Sequence, residues 1–250
     1  MGTDEAWSIF VSMEIIMTRK NFEKHQIRTA ILVDGGFYRK RAKALWGAKT
    51  PRERADELND YCYKHLQDNY ENRYLYRVFY YDCPPIQKNI FNPLTQKTED
   101  LAKTAEYSWM SSFIEELKHH RKFALRMGRI SDTQLQYSLK SEATKKLLRG
   151  AISVSDIKQT DLELNIEQKG VDMRIGVDIS SLAFKHQVNQ IILISGDSDF
   201  VPAAKQARRE GIDFILDPMR SPIKEDLYEH IDGIRTPRFK EKDHDDSTEG

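Results

Sequence analysis

The sequence predicts an α/β fold with a mostly parallel central sheet flanked by helices. Three observations carry that expectation. Ile191-Ile192-Leu193-Ile194 is an unbroken branched-aliphatic run, too apolar for a strand with one wet face and suited to one buried on both. Residues 27–33 end in a second such run, Ala30-Ile31-Leu32-Val33. Segments of helical character alternate with these strands, the pattern that covers both faces of a parallel sheet.

Taken in order, residues 1–26 read as an N-terminal extension too short and interrupted for a signal peptide. The strand over 27–33 runs into Asp34-Gly35-Gly36, glycines that let the backbone turn sharply. Residues 38–46 and 51–70 are expected to be helical, with Pro51 suited to a first turn. Tyr, Val and Phe make 73–82 a strand, which Pro84-Pro85 stops. A helix is expected over 98–120 and a strand over 122–127. Residues 141–149 read as a short helix, 161–167 as a strand and 171–186 as a helix. The strand over 190–194 leads into a helix over 201–210, which Gly211 ends, and then a strand over 212–216. One domain over 27–236 is expected, with 47–165 an elaborated middle segment and 237–250 a disordered polar tail.

Composition narrows the function classes. The 250 residues balance to a formal net charge of +0, so a polyanionic partner must be met by local basic patches. Cys62 and Cys83 are the whole cysteine complement; this argues against a disulfide framework and a thiolate zinc site, and it fits a reducing cytoplasmic setting. No stretch approaches the ~20 apolar residues of a membrane span, so no membrane partner is expected.

The chemistry is expected at the carboxyl ends of the strands, where open α/β sheets bind ligands. Asp34 follows the first strand, and Asp197 and Asp199 follow the strand over 190–194. Asp172 and Asp178 lie on the helix just upstream. Six residues turn a helix by about 600° and lift it ~9 Å, so those two cannot both face one ion; Asp172 is the favoured ligand, and Asp178 the candidate to hold the 195–199 loop. Any single Asp after a strand is commonly a turn former or helix cap. The coincidence of two apolar strands and a helix all delivering Asp favours a divalent-metal site, because crowded carboxylates repel without a cation between them. All-oxygen ligands select Mg²⁺ or Mn²⁺.

These blocks resemble the NYN family of PIN-like nucleases. The resemblance rests on Ile31-Leu32-Val33-Asp34-Gly35-Gly36, on Lys169-Gly170-Val171-Asp172 with Asp178 beyond it, and on Ser195-Gly196-Asp197-Ser198-Asp199-Phe200-Val201-Pro202. It implies a Rossmann-like, PIN-type α/β domain and Mg²⁺ or Mn²⁺ held by Asp34, Asp172, Asp197 and Asp199, with Asp178 a further candidate. It also implies ribonuclease activity leaving 5′-phosphates. The middle segment carries none of the resemblance, and is available to cap the site, to form a homo-oligomer or to bind a partner protein.

Candidate RNA contacts are Arg39, Lys40, Arg41 and Lys43, which begin beside Asp34, and Lys169, which could instead pair with Asp172. Phe37 and Tyr38 could stack on bases or be core. Two further basic groups, 118–122 with Arg126 and Arg129, and Lys145, Lys146 and Arg149, read more simply as solvated faces. Whether the RNA is single-stranded or structured is open. Of two rivals, a phosphatase of the haloacid-dehalogenase type also presents Asp-x-Asp after a strand but needs further acidic motifs and a Lys downstream, for which the 51 residues after Asp199 leave little room. The rival that remains is a non-catalytic module that binds nucleic acid or protein.

Overall fold

The structure is a computed structural model that describes residues 26–67, 72–131, 135–166 and 168–239. Its centre is a six-stranded sheet made of β1 (Ile27–Asp34), β2 (Arg73–Asp82), β5 (Phe123–Met127), β10 (Gln190–Ile194), β11 (Asp213–Asp217) and β12 (Gly233–Ile234). The order is β12-β11-β10-β1-β2-β5, and every neighbouring pair is parallel. From β1 the chain fills the sheet on one side through β2 and β5. It then crosses back to β10 and fills the other side. The reversal falls between β1 and β10, and a switch point of this kind leaves a crevice at the carboxyl ends of the two strands.

Period-2 alternation splits each central strand between two cores. Ala30 and Leu32 of β1 pack with Ile175 and Ile179 of α5 (Val171–Phe184) and with Ala204 of α6 (Val201–Arg209). Ile31 and Val33 face the other way, toward Tyr38 and Ala42 of α1 (Gly35–Trp46), Leu58 and Tyr61 of α2 (Pro51–Leu66) and Phe113 of α3 (Ala105–His119). All four β1 residues are fully buried, as the aliphatic run requires. Pro51 opens α2, and Thr50 and Glu53 close a reciprocal capping box there.

The middle segment adds three small antiparallel pairs. β3 (Asn89–Asn92) pairs with β4 (Lys97–Asp100), β6 (Arg129–Ile130) with β9 (Gln168–Lys169), and β7 (Gln136–Leu139) with β8 (Leu162–Asn165). α4 (Ser141–Leu148) lies between the strands of the last pair, and α7 (Glu225–Tyr228) precedes β12.

One expected element is corrected. The helix placed over 98–120 begins only at Ala105, because 97–100 are the second strand of a hairpin. Two caps set that start: the Asp100 side chain accepts from the Ala102 N–H, and that of Thr104 accepts from Tyr107 N–H. The helix expected to reach residue 70 is described to Leu66, with 68–71 outside the described residues. The N-terminal extension lies outside them apart from residue 26, and so does the tail from 240 onward. At the start of that tail Phe239 packs on Trp46 and Tyr61, with ring centroids 5.0 and 5.7 Å apart.

Candidate active site at the switch point

Asp34 ends β1 and caps α1, its Oδ1 accepting from the Phe37 N–H at 3.0 Å. The start of α1 approaches β2 this closely only because residue 35 is glycine: a Cβ there would lie 2.6 Å from Asp82 Oδ2 and closer still to the Tyr80 hydroxyl. From the neighbouring strand end, the buried Ser195 hydroxyl donates to Asp34 Oδ2 at 3.2 Å. The same hydroxyl accepts from the Asp197 N–H at 3.3 Å, and Asp197 Oδ1 accepts from the Asp199 N–H at 3.0 Å. Gly196 lets the loop pass under Phe37, whose ring would be 2.8 Å from any Cβ at that position. A chain of hydrogen bonds thus joins Asp34 to the Asp197–Asp199 turn across the switch point. Asp172 enters from the first turn of α5, where the helix dipole tolerates negative charge.

The carboxylates disturb one another. Burial first, and then the charges of Asp172 and Asp82, raise the Asp34 pKa above the usual carboxylate value, against the lowering effect of the Phe37 and Ser195 hydrogen bonds. Asp172 is raised as well, by desolvation and then by Asp197 and Asp199. Both ionised forms are therefore disfavoured here in the absence of a counter-charge. Among the described residues no group of three His, Cys, Asp or Glu side chains is placed to hold a metal ion. Asp34 is half-buried, whereas Asp172, Asp197 and Asp199 are exposed.

Several candidates are engaged elsewhere. Asp178 points toward the sheet, where Oδ2 accepts from the Tyr81 hydroxyl at 2.8 Å and from Arg126 Nε at 3.0 Å. It does not hold the 195–199 loop; Ser195 has that place. Arg39 makes a two-pronged pair with buried Asp82, Nε to Oδ2 at 3.0 Å and a terminal nitrogen to Oδ1 at 3.1 Å. Arg41 donates twice to the Met219 carbonyl. Tyr38 is fully buried on Glu57, and Phe37 packs into the core beside it, so neither is a base platform. In the second basic group Lys118 pairs with Glu115 and Lys122 donates to the Leu75 carbonyl. In the third, Lys145 pairs with Glu142. Lys169 is exposed on β9, opposite Arg129 and just before the turn into α5.

Lys40 and Lys43 are different. They are exposed, and their ammonium groups meet no carboxylate among the described residues. Both line a cleft of about 710 Å³ whose wall also includes Gly36 and Asp82, neighbours of Asp34.

Three residues of the site were missed in the sequence. Asp82 closes β2 as Asp34 closes β1, and the apolar strand before it was a usable signal. Ser195 looked like a loop residue, and only the pairing of β1 with β10 reveals its bond to Asp34. Lys224, which donates to Ser198 Oγ at 3.0 Å and so braces the acidic turn, carried no sequence signal.

A parallel sheet with acidic side chains at its switch point is the architecture expected of a PIN-like α/β domain. The model of the NYN domain matches residues 89–225, more than half of the chain, and the protein belongs to the NYN family. NYN domains are PIN-like and generally nucleases. The match takes in much of the middle segment, which carries none of the sequence blocks behind the resemblance, and it begins after Asp34. A solved structure of a Vibrio parahaemolyticus protein of unknown function is similar at 14% identity and a TM-score of 0.44, covering 84% of this chain and 93% of that one. No curated protein matches the chain. No helix among the described residues is long and apolar enough to cross a membrane.

Proposed function

We propose that the protein is a divalent-metal-dependent endoribonuclease that hydrolyses RNA phosphodiester bonds at the switch point. The observation that carries this reading is the hydrogen bond from Ser195 to Asp34, made between residues 161 apart in sequence. It ties the first acidic segment to the third, and Asp172 is near enough for its charge to raise the Asp34 pKa.

The donor set suits a hard cation. Asp34, Asp172, Asp197 and Asp199 would hold Mg²⁺ or Mn²⁺ through carboxylate oxygens. Asp172 and Asp199 are exposed and can change rotamer toward it, and Asp197 keeps one carboxylate oxygen on the Asp199 N–H and offers the other. A bound ion of this kind supplies Lewis acidity and lowers the pKa of coordinated water. The chain's own residues do the rest. Phe37 N–H and Ser195 fix the Asp34 carboxylate in orientation, and Ser195 with Lys224 braces the turn that carries Asp197 and Asp199. Lys40 and Lys43, with no carboxylate partner among the described residues, offer positive charge beside the site to hold the phosphate backbone. Lys169 lies on the approach to Asp172 and is a further candidate for that task. Asp178 is left out of the ligand set, because Tyr81 and Arg126 occupy its carboxylate.

Incubating the purified protein with end-labelled RNA in Mg²⁺, Mn²⁺ or EDTA tests this. The expected result is cleavage with either metal, none in EDTA and none for Asp34→Asn. Retained RNA binding without cleavage under any metal would favour the non-catalytic module.

A further inference from the structure

Helix α5 is apolar on two opposite faces. On the inner one Ile175, Ile179 and Leu182 are buried against the sheet. On the far side Met173, Val177 and Phe184 recur four and seven residues apart, which sets them in one narrow stripe. They are 74%, 61% and 59% exposed. Ser180 lies in the same stripe, and Gly176 borders it, with nothing within 4 Å of where a Cβ would stand, so the face is open to close approach. Single exposed apolar side chains are ordinary, but a helix apolar all round is one that is covered all round.

The place where the chain enters the fold says what covers it. The start of β1 is fastened to the loop that leaves α5. The Asn189 N–H donates to the Arg28 carbonyl at 2.8 Å, the Arg28 N–H donates to Asn189 Oδ1 at 3.1 Å, and the Arg28 guanidinium donates to the Gln187 carbonyl at 3.1 Å. Gln26 therefore leaves the sheet beside the Phe184 end of α5. Of the 25 residues before it, residues 6–17 are apolar except for Ser8, Ser12 and Glu14, and residues 18–25 are mostly polar. From Met173 to Phe184 the helix rises about 17 Å. Eight residues over 18–25 span up to about 26 Å when extended, so residues 6–17 can reach the whole stripe from that attachment.

Other occupants fit less well. The C-terminal tail is polar, and it starts on the opposite side of the sheet, where Phe239 packs on Trp46 and Tyr61. Three large side chains fall well short of the roughly 800 Å² per partner that a stable dimer buries. A segment of the same chain needs less surface, because tethering gives it an effective concentration in the millimolar range. We propose that residues 6–17 dock on the face of α5 formed by Met173, Val177 and Phe184 in the same molecule. The far end of this intramolecular docking surface adjoins Asp172 of the acidic site.

The full chain is tested by brief oxidation with hydrogen peroxide, reading each methionine sulfoxide by peptide mass spectrometry. Met173 is expected to oxidise about fivefold or more slowly in the wild type than in Phe10→Asp/Met13→Asp, as a docked population of about 80% would give. Buried Met110 and Met219 should stay slow in both, which reports that the variant is folded. Hydrogen exchange supplies the reciprocal readout. Amides of residues 6–17 should be protected in the wild type and lose that protection in Val177→Asp/Phe184→Asp, while those of β1 and β10 keep theirs. Light scattering should give the monomer mass of 29.2 kDa throughout. Equal Met173 oxidation in the wild type and in Phe10→Asp/Met13→Asp overturns the proposal, as does protection of residues 6–17 that survives Val177→Asp/Phe184→Asp. A doubled mass that the α5 variant halves also overturns it, and assigns the face to a second copy. If the α5 variant does not fold, the oxidation comparison decides alone, because Phe10 and Met13 lie outside the described residues.

Discussion

Asp217 and Asp34 each close a buried parallel strand of the same sheet, yet their surroundings are opposite. Asp217 is saturated: it accepts from the Tyr61 hydroxyl, from His65 Nε2 in its N–H tautomer, from the Met219 N–H and from the Thr236 hydroxyl. Asp82, at the end of β2, is similarly filled by Arg39, Tyr80 and the Cys83 N–H. Among the described residues Asp34 accepts only from the Phe37 N–H and Ser195, and it faces the charges of Asp172 and Asp82. In strand order the saturated carboxylates close β11 and β2, which flank the switch-point pair β10 and β1. Buried carboxylates with a full set of donors hold a fold together. Those that crowd one another do not, and on the proposed reading the switch point is the place kept for a ligand.

Substitutions can break or sharpen that contrast. The largest effect is expected for Asp34→Asn, which keeps the helix cap and removes the charge. Cleavage of labelled RNA should fall on the order of 10²–10³-fold, the scale for loss of one charge-stabilising group, with no loss of melting temperature. Asp217→Ala should do the reverse. Leaving Tyr61, Thr236 and the Met219 N–H unpaired in the core costs about 3 kcal/mol or more of stability, readable by urea denaturation. Activity per folded molecule should be retained. If Asp34→Asn destabilises as much as Asp217→Ala, the two carboxylates are of one kind and the contrast is lost.

Smaller effects separate the two aspartates of α5. Asp178→Asn removes a partly exposed ion pair with Arg126, and should cost about 1 kcal/mol or less without changing the rate of cleavage. Asp172→Asn should raise the metal-free melting temperature slightly at neutral pH and abolish any further rise with Mg²⁺. The sign follows from its raised pKa: folding favours the protonated form, so the wild-type chain loses stability as pH rises through the folded-state value. The advantage of the Asn variant should therefore fade as pH falls below about 4, the ordinary Asp value. A differential-scanning series from pH 3 to 7 in EDTA measures it. An advantage that persists at pH 3 would contradict an origin in the desolvated, charge-crowded carboxylate.

The two regions of the molecule were not equally legible in the sequence. The switch-point strands were plain, because a strand buried on both faces is an unbroken aliphatic run and its end can be read to within a residue. The acidic blocks were legible for the same reason, each being pinned to a strand end or helix start. What sequence could not supply was the sorting. Arg39 and Arg41 look like Lys40 and Lys43 in a basic run, and only Asp82 and the Met219 carbonyl, both distant in sequence, remove the arginines from the phosphate-binding set. Asp178 was drawn to the wrong partner because Tyr81 and Arg126 lie on strands that fold beneath its helix. The middle segment was least legible. Apart from β2 and β5, its strands are two to four residues long and half-exposed, so they carry neither an aliphatic run nor enough alternation to show a period.

An anomalous difference map from a crystal soaked in Mn²⁺ tests the metal site most directly. The expected result is a peak among the carboxylates of Asp34, Asp172 and Asp197, absent from an Asp34→Asn crystal treated in the same way. A map with no peak there, at a manganese concentration that supports RNA cleavage, would contradict it.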